Sequence, residues 1–148
     1  VWCGMTMDEG KDSASFGQNS RYWRDQGHPW GGMHSSAPDL AIWLQTILNG
    51  GTYGDVQIFS PAACTAMTSN QNAHLDAPWG LGFGLRDSKA GAVFGEITSA
   101  NTFGHVGGTG TVAWADPERQ LICVVLTNQF DGSLLRRISN VVASSVIE

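Results

Sequence analysis

No run of about 18 or more apolar residues occurs anywhere in this chain, which excludes a membrane-spanning helix from it. Its first residues carry no basic segment followed by an apolar one, so no signal peptide is indicated and the compartment stays open. Cysteine is scarce: Cys3, Cys64 and Cys123 are odd in number, widely spaced and free of any Cys-x-x-Cys pair, which argues against both a disulfide framework and a zinc site. Positive charge is also short, with 8 Lys+Arg against 13 Asp+Glu and a net charge of −5. That balance disfavours nucleic acid or an anionic membrane surface as a partner and suits a small-molecule substrate.

Glycine, by contrast, is abundant, at 19 of 148 residues against a usual share of roughly 7%. With 42% hydrophobic residues the chain can build one core, so residues 1–148 are expected to form a single unit. The sequence opens on Val1-Trp2-Cys3 without an initiator methionine and reads as a truncated or processed product. Residues 1–32 show no sustained period and read as irregular.

Ser36, Pro38 and Asp39 then signal a helix start: serine caps, proline suits the first turn, and Asp39 completes a variant of the capping box. Leu40, Trp43, Leu44, Ile47 and Leu48 follow at helical spacing, and Asn49-Gly50-Gly51 ends the run. A second helix is expected from Ser60-Pro61 to about Ser69-Asn70. Trp79, Leu81, Phe83 and Leu85 alternate with Gly80, Gly82 and Gly84, which predicts a strand with something packed close against its glycine face. Thr111 to Ala115 and Leu121 to Thr127, joined by Asp116-Pro117-Glu118-Arg119, predict a hairpin in which Asp116 and Glu118 lie in a solvated turn. Its second strand is apolar at consecutive positions, as when both faces are covered, and Cys123 within it reads as a small buried hydrophobe. Leu134, Leu135, Ile138, Val141, Val142 and Val146 predict a C-terminal amphipathic helix that packs on the sheet.

Four glycines around one histidine make Phe103-Gly104-His105-Val106-Gly107-Gly108-Thr109-Gly110-Thr111 the stretch best suited to close approach of a ligand. Alone it is equally a turn with a structural histidine. His28, His34, His74 and Cys3 match no metal-ligand spacing, so no metal and no cofactor is expected.

Gly31-Gly32-Met33-His34-Ser35-Ser36-Ala37-Pro38-Asp39-Leu40-Ala41, Ile58-Phe59-Ser60-Pro61, Trp79-Gly80-Leu81-Gly82-Phe83, the His105 loop with Asp116-Pro117-Glu118, and Val124-Val125-Leu126-Thr127-Asn128 stand in a specific order. In that order they resemble the C-terminal half of the serine β-lactamase and penicillin-binding protein superfamily, notably class C β-lactamases and the related esterases and D,D-peptidases. The resemblance implies an α+β fold, an antiparallel sheet flanked by helices, and a periplasmic or secreted compartment. It implies that His105-Val106-Gly107 is the third active-site motif, usually Lys-Thr-Gly or His-Thr-Gly, on a strand that forms one wall of the site. By the same resemblance His105 stands beside the nucleophile, the Gly108 amide is an oxyanion-hole donor, and Val106, Gly107 and Thr109 line the substrate. Val106 departs from the family's hydroxyl residue, which would hydrogen-bond an anionic substrate group.

The family's Ser-x-x-Lys nucleophile motif and its Tyr-x-Asn or Tyr-x-Ser shuttle do not occur: Asp8 and Arg86 precede the lysines Lys11 and Lys89, and neither Tyr22 nor Tyr53 has the required follower. In the family both motifs lie upstream of everything matched here. The chain therefore reads as the pocket-wall half of an acyl-transfer enzyme acting on a β-lactam, an ester or a D-Ala-D-Ala-like peptide. Its expected partners are that substrate and a missing N-terminal half, or a second copy at the open edge of the Leu121 strand. The other reading is a non-catalytic binding or interaction module on the same fold.

Overall fold

A computed structural model describes residues 17–146. Residues 1–16, with Cys3 and Lys11, lie outside the described residues. The chain runs through helix α1 (Arg21–Gln26), helix α2 (Ala37–Leu48), the short strands β1 (Thr52–Tyr53) and β2 (Val56–Gln57), and helix α3 (Pro61–Thr68). Strand β3 (Gly84–Leu85), a 3-10 turn (Ala90–Val93), strands β4 (Phe103–Gly107), β5 (Thr111–Asp116) and β6 (Leu121–Leu126) and helix α4 (Gly132–Ser144) follow.

The helix starts follow from local chemistry. Ser36 Oγ accepts the Asp39 amide at 3.3 Å and donates to the Asp39 carboxylate at 2.7 Å, so serine caps the helix and Asp39 holds the capping hydroxyl in place. Ser60 and Asp131 cap α3 and α4 in the same way, accepting from the Ala63 and Leu134 amides at 3.1 and 3.0 Å. No helix among the described residues is long and apolar enough to cross a membrane.

An antiparallel sheet of order β3-β4-β5-β6 forms the middle layer. Alternation along its strands divides the core in two. Val112, Trp114 and Cys123 pack with Phe94 of the 3-10 region and with Leu135 and Ala143 of α4. Phe103 and Ala115 pack on the other side with Leu44 and Ile47 of α2 and Cys64 of α3. The consecutive apolar residues of β6 serve both cores, with Cys123 in one and Ile122 and Val124 against the other. Burial pushes the Cys123 thiol up to about 11, so it stays a neutral packing group.

Three expectations change. The glycine-alternating segment is a tight reversal, and only Gly84 and Leu85 belong to a strand. The Gly80 amide donates to the Phe83 carbonyl at 2.9 Å, Gly82 takes φ +86, and Trp79 turns back to pair with Gly84. Close packing does hold at two of its three glycines: a Cβ on Gly80 would overlap the Met67 carbonyl, and one on Gly84 would lie 2.7 Å from Ala90 Cβ. Within the segment read as irregular, residues 21–26 are helical, started by Ser20, whose hydroxyl accepts the Trp23 amide. Finally, Asp116 is not solvated.

The Asp116 side chain has no exposed surface. It accepts the Ser99 hydroxyl and amide at 2.6 and 2.8 Å, the Glu118 and Arg119 amides at 3.1 and 3.3 Å, and the Arg119 guanidinium at 3.1 Å. Burial alone would raise its pKa, but the bonds from Ser99 and Arg119 outweigh that and hold the carboxyl below its ordinary value. A depressed folded-state pKa stabilises the fold fully above the unfolded value, and the contribution fades as pH falls through the folded one. Asp116→Asn turns an NH₂ group toward these donors and should cost roughly 2–3 kcal/mol at neutral pH. Urea titrations across acid pH should show the wild type losing this advantage while the variant's stability depends less on pH. Equal stability of the two proteins at pH 7 would refute the role given to the carboxylate.

Candidate active-site wall

Strand β4 carries the glycine-flanked histidine. Its neighbour β5 pairs with it along its whole length, with Gly104 opposite Trp114, His105 opposite Ala113 and Gly107 opposite Thr111. On the other side β3 reaches only Phe103 and Gly104. Beyond that point, among the described residues, His105 to Gly107 have no strand beside them, and His105 is exposed.

The imidazole is nevertheless constrained. His105 Nδ1 lies 2.7 Å from the Val106 carbonyl oxygen. A carbonyl can only accept, so Nδ1 carries the hydrogen, and in the neutral ring Nε2 holds the free lone pair. The ring also meets the Trp79 indole at 5.3 Å between centroids and 69° between planes.

The rest of the stretch divides by environment. Val106 is half-buried and packs against the core that contains Val112 and Trp114, so its side chain serves the sheet. Gly107 ends the strand, where a Cβ would overlap Thr111 Oγ1. Gly108 is exposed at the head of the turn, and Thr109 beside it is half-buried. The Gly110 amide closes this turn onto the Gly107 carbonyl at 3.0 Å. Gly110 itself takes φ +92, and a Cβ there would overlap the Gln129 carbonyl. Thr127, just past β6, holds the turn from below: its amide donates to the Gly110 carbonyl at 3.1 Å, and its hydroxyl reaches the same oxygen.

His105, Gly107, Gly108 and Thr109 thus form one ledge at the end of β4, exposed at His105 and Gly108 and half-buried at Gly107 and Thr109, from which the Val106 side chain turns inward. Trp79 and Thr127 were not singled out from sequence, although the first opens a block noted for its glycines and the second stands in the block at the end of β6. The other histidines do not assemble. His28 lies between Trp23 and Trp30 at 4.5 and 5.8 Å, and His34 Nδ1 bonds the Gly32 carbonyl at 3.1 Å. Among the described residues no group of three His, Cys, Asp or Glu could hold a metal ion.

An open groove of about 620 Å³ lies elsewhere, between Pro38 and Ile42 of α2, Tyr53, and Ile122 and Val124 of β6. None of the ledge residues lines it. It lies on the β6 side of the sheet, away from His105 and the turn that follows it.

Comparison with known proteins bears on the family and the fold. The family model described as Beta-lactamase matches residues 4–144. A relative from Escherichia coli, provisionally named a D-alanyl-D-alanine carboxypeptidase, is 39% identical over 99 residues, which is 66% of this chain and 22% of that protein. Its Salmonella paratyphi B counterpart, named in the same way, is 34% identical over the same shares. Among solved structures, a beta-lactamase from Mycobacterium bovis superposes with a TM-score of 0.60 at 32% identity, covering 76% of this chain and 43% of that one. A penicillin-binding protein homolog from Caulobacter crescentus gives 0.60 at 25% identity, covering 76% and 32%. The chain therefore spans about a fifth of these curated relatives and less than half of the solved structures.

The ledge depends on one glycine. Gly110→Ala adds strain at a positive φ and displaces Gln129, which should cost about 1–3 kcal/mol and loosen the turn that carries Gly108. Thermal melting and amide exchange should show a lower Tm together with faster exchange at Gly108. Unchanged exchange there would mean that the turn holds its shape without Gly110.

Proposed function

This chain belongs to the beta-lactamase family, and from that premise we propose that it is the pocket-wall half of a serine hydrolase that works through an acyl-enzyme. One observation carries the reading: an exposed histidine with a defined ring orientation stands on an open strand end, followed three residues later by a glycine whose amide heads an exposed turn. In the complete enzyme an upstream serine attacks the substrate carbonyl. Negative charge gathers on that oxygen, and the Gly108 N–H stabilises it, an interaction worth roughly 3 kcal/mol of barrier. His105 Nε2 stands where protons pass among nucleophile, leaving group and the water that later cleaves the acyl-serine. The free edge of His105 to Gly107 lets the substrate lie against the strand.

The substrate is a β-lactam, a short ester or a D-Ala-D-Ala-like peptide, the last suggested by the names of the relatives. Val106 bears on that choice. With no hydroxyl at this position and a side chain turned into the core, the ledge offers no side-chain donor there for a carboxylate. That favours neutral acyl compounds. The resemblance also favours a periplasmic or secreted compartment.

With no Ser-x-x-Lys in the sequence, the chain alone should not turn over nitrocefin or p-nitrophenyl butyrate, since loss of a nucleophile unit costs on the order of 10⁶ in rate. In an enzyme completed by the upstream half, His105→Ala should lower kcat/KM on the order of 10²-fold or more with little change in Tm. A fully active, folded His105→Ala enzyme would refute the catalytic role given to His105, whereas absence of turnover in the completed wild type would favour the binding-module reading.

The missing half is also a physical partner. Among the described residues β6 pairs only with β5, and its outer edge runs beside the apolar groove of Ile42, Tyr53, Ile122 and Val124. An open apolar strand edge templates association. Hydrogen exchange on the chain alone should show fast exchange, or protection only in a dimer, for the outward amides between Ile122 and Leu126. Strong protection of all of them in a monomer would refute the half-protein reading.

A further inference from the structure

We infer that Trp79 is a positioning residue for His105: its indole, anchored in the core, holds the imidazole so that Nδ1 stays bound to the Val106 carbonyl and Nε2 is the atom presented at the ledge. The inference rests on the reading of His105 given above and adds which nitrogen handles protons and what fixes it.

The hydrogen bond from Nδ1 to the Val106 carbonyl joins neighbouring residues. A bond so local, at an exposed position, forms and breaks with ordinary side-chain rotation and does not by itself select one ring orientation. A second restraint is needed, and the indole at 5.3 Å and 69° is placed to supply it.

For an indole to orient another ring it must itself be fixed, and four features fix this one. Its carbonyl accepts the Gln71 amide at 2.7 Å. Its backbone is paired with Gly84 across the tight reversal. Gly84 has no side chain, and a Cβ there would stand 3.5 Å from Trp79 Cη2, so the ring lies flush against the strand. The indole also packs against the buried cluster of Phe94, Val112 and Trp114. One end is held by the core, and the other forms a wall beside the free end of β4. Rotation of the imidazole away from Val106 loses both the aromatic contact and the hydrogen bond. With both kept, the neutral ring has a single tautomer, and the Nε2 lone pair is the one left free.

Long-range ¹H–¹⁵N spectra of the labelled 148-residue chain, with His105 assigned through His105→Ala, read the tautomer directly. The wild type should show Nδ1 protonated and Nε2 bare in the neutral ring, with nuclear Overhauser contacts between the Trp79 and His105 ring protons. Trp79→Phe should keep this pattern, while Trp79→Leu should lose the ring-current shift and give averaged tautomers. A wild-type ring without those contacts overturns the inference without any variant. So does a folded Trp79→Leu chain with an unchanged His105 signature. In the completed enzyme Trp79→Leu should reduce kcat on the order of 10²-fold at nearly constant KM, with recovery in Trp79→Phe. A fully active His105→Ala enzyme would instead refute the role of His105 in catalysis, and would leave the spectroscopic result standing.

Discussion

The arrangement depends on the burial of Trp114. This indole is fully enclosed, and an enclosed indole N–H must find an acceptor. It donates to Ser139 of α4 at 2.9 Å, and the Ser139 hydroxyl passes its own proton to the Val93 carbonyl at 2.8 Å. One chain of bonds thus ties the central strand to the C-terminal helix and to the 3-10 turn. Trp114 also dictates what may lie beside it. A Cβ on Gly104 would come within 2.7 Å of the Trp114 Cα and overlap the Ala113 carbonyl, so the residue before His105 has to be glycine. Gly104 in turn pairs with Gly84, and over that second glycine lies Trp79. The close-packed strand at Trp114 thus requires glycine at position 104, Ala90 and Ser88 crowd the paired Gly84, and the Trp79 ring that lies over Gly84 meets the histidine.

Both ends of β5 are fastened, each by a different kind of bond. At Asp116 a buried carboxylate gathers five donors and secures the 99–102 loop to the β5–β6 turn. At the other end the bonds are neutral, from Thr127 to the Gly110 carbonyl, and the turn they hold is exposed. Charge-assisted bonds suit the end with a purely structural task. Among the described residues, the turn after β4 is thus held without any buried charge beside it.

What could be read from the sequence is what local chemistry decides. The serine caps and proline starts of α2 and α3, the hairpin at Pro117 and the amphipathic α4 all depend on residues within a turn or two of one another, and they stand where the sequence puts them. The segment from Trp79 to Leu85 misled because alternation with glycine has two sources: a strand with one bare face, or a reversal that needs positive φ. Gly82 makes it the second. Helix α1 was missed because six residues without a buried side chain leave no periodic trace, and β1–β2 was missed because two-residue strands leave none either. The ledge was legible through resemblance, since His105 to Thr109 are contiguous. Asp116 and Trp79 were not, because their partners, Ser99 and His105, lie 17 and 26 positions away.

The sheet has two free edges among the described residues, and their chemistry assigns them different fates. The free stretch of β4 is three residues long, contains a glycine, and ends in an exposed turn with a polar ring beside it. So short and polar an edge buries little apolar surface when something pairs with it, and its contribution is a few directional hydrogen bonds, which suits a ligand that must also leave. The edge of β6 runs from Leu121 to Leu126 with an apolar side chain at every position and an apolar groove alongside. Covering it removes side chains and unpaired backbone groups from water together, and a gain of that kind scales with area and does not reverse on each catalytic cycle. The first edge thus offers a few directional bonds, and the second offers area. Because both belong to one rigid four-stranded ladder with Trp114 at its centre, whatever seats on β6 is placed at a fixed distance from His105.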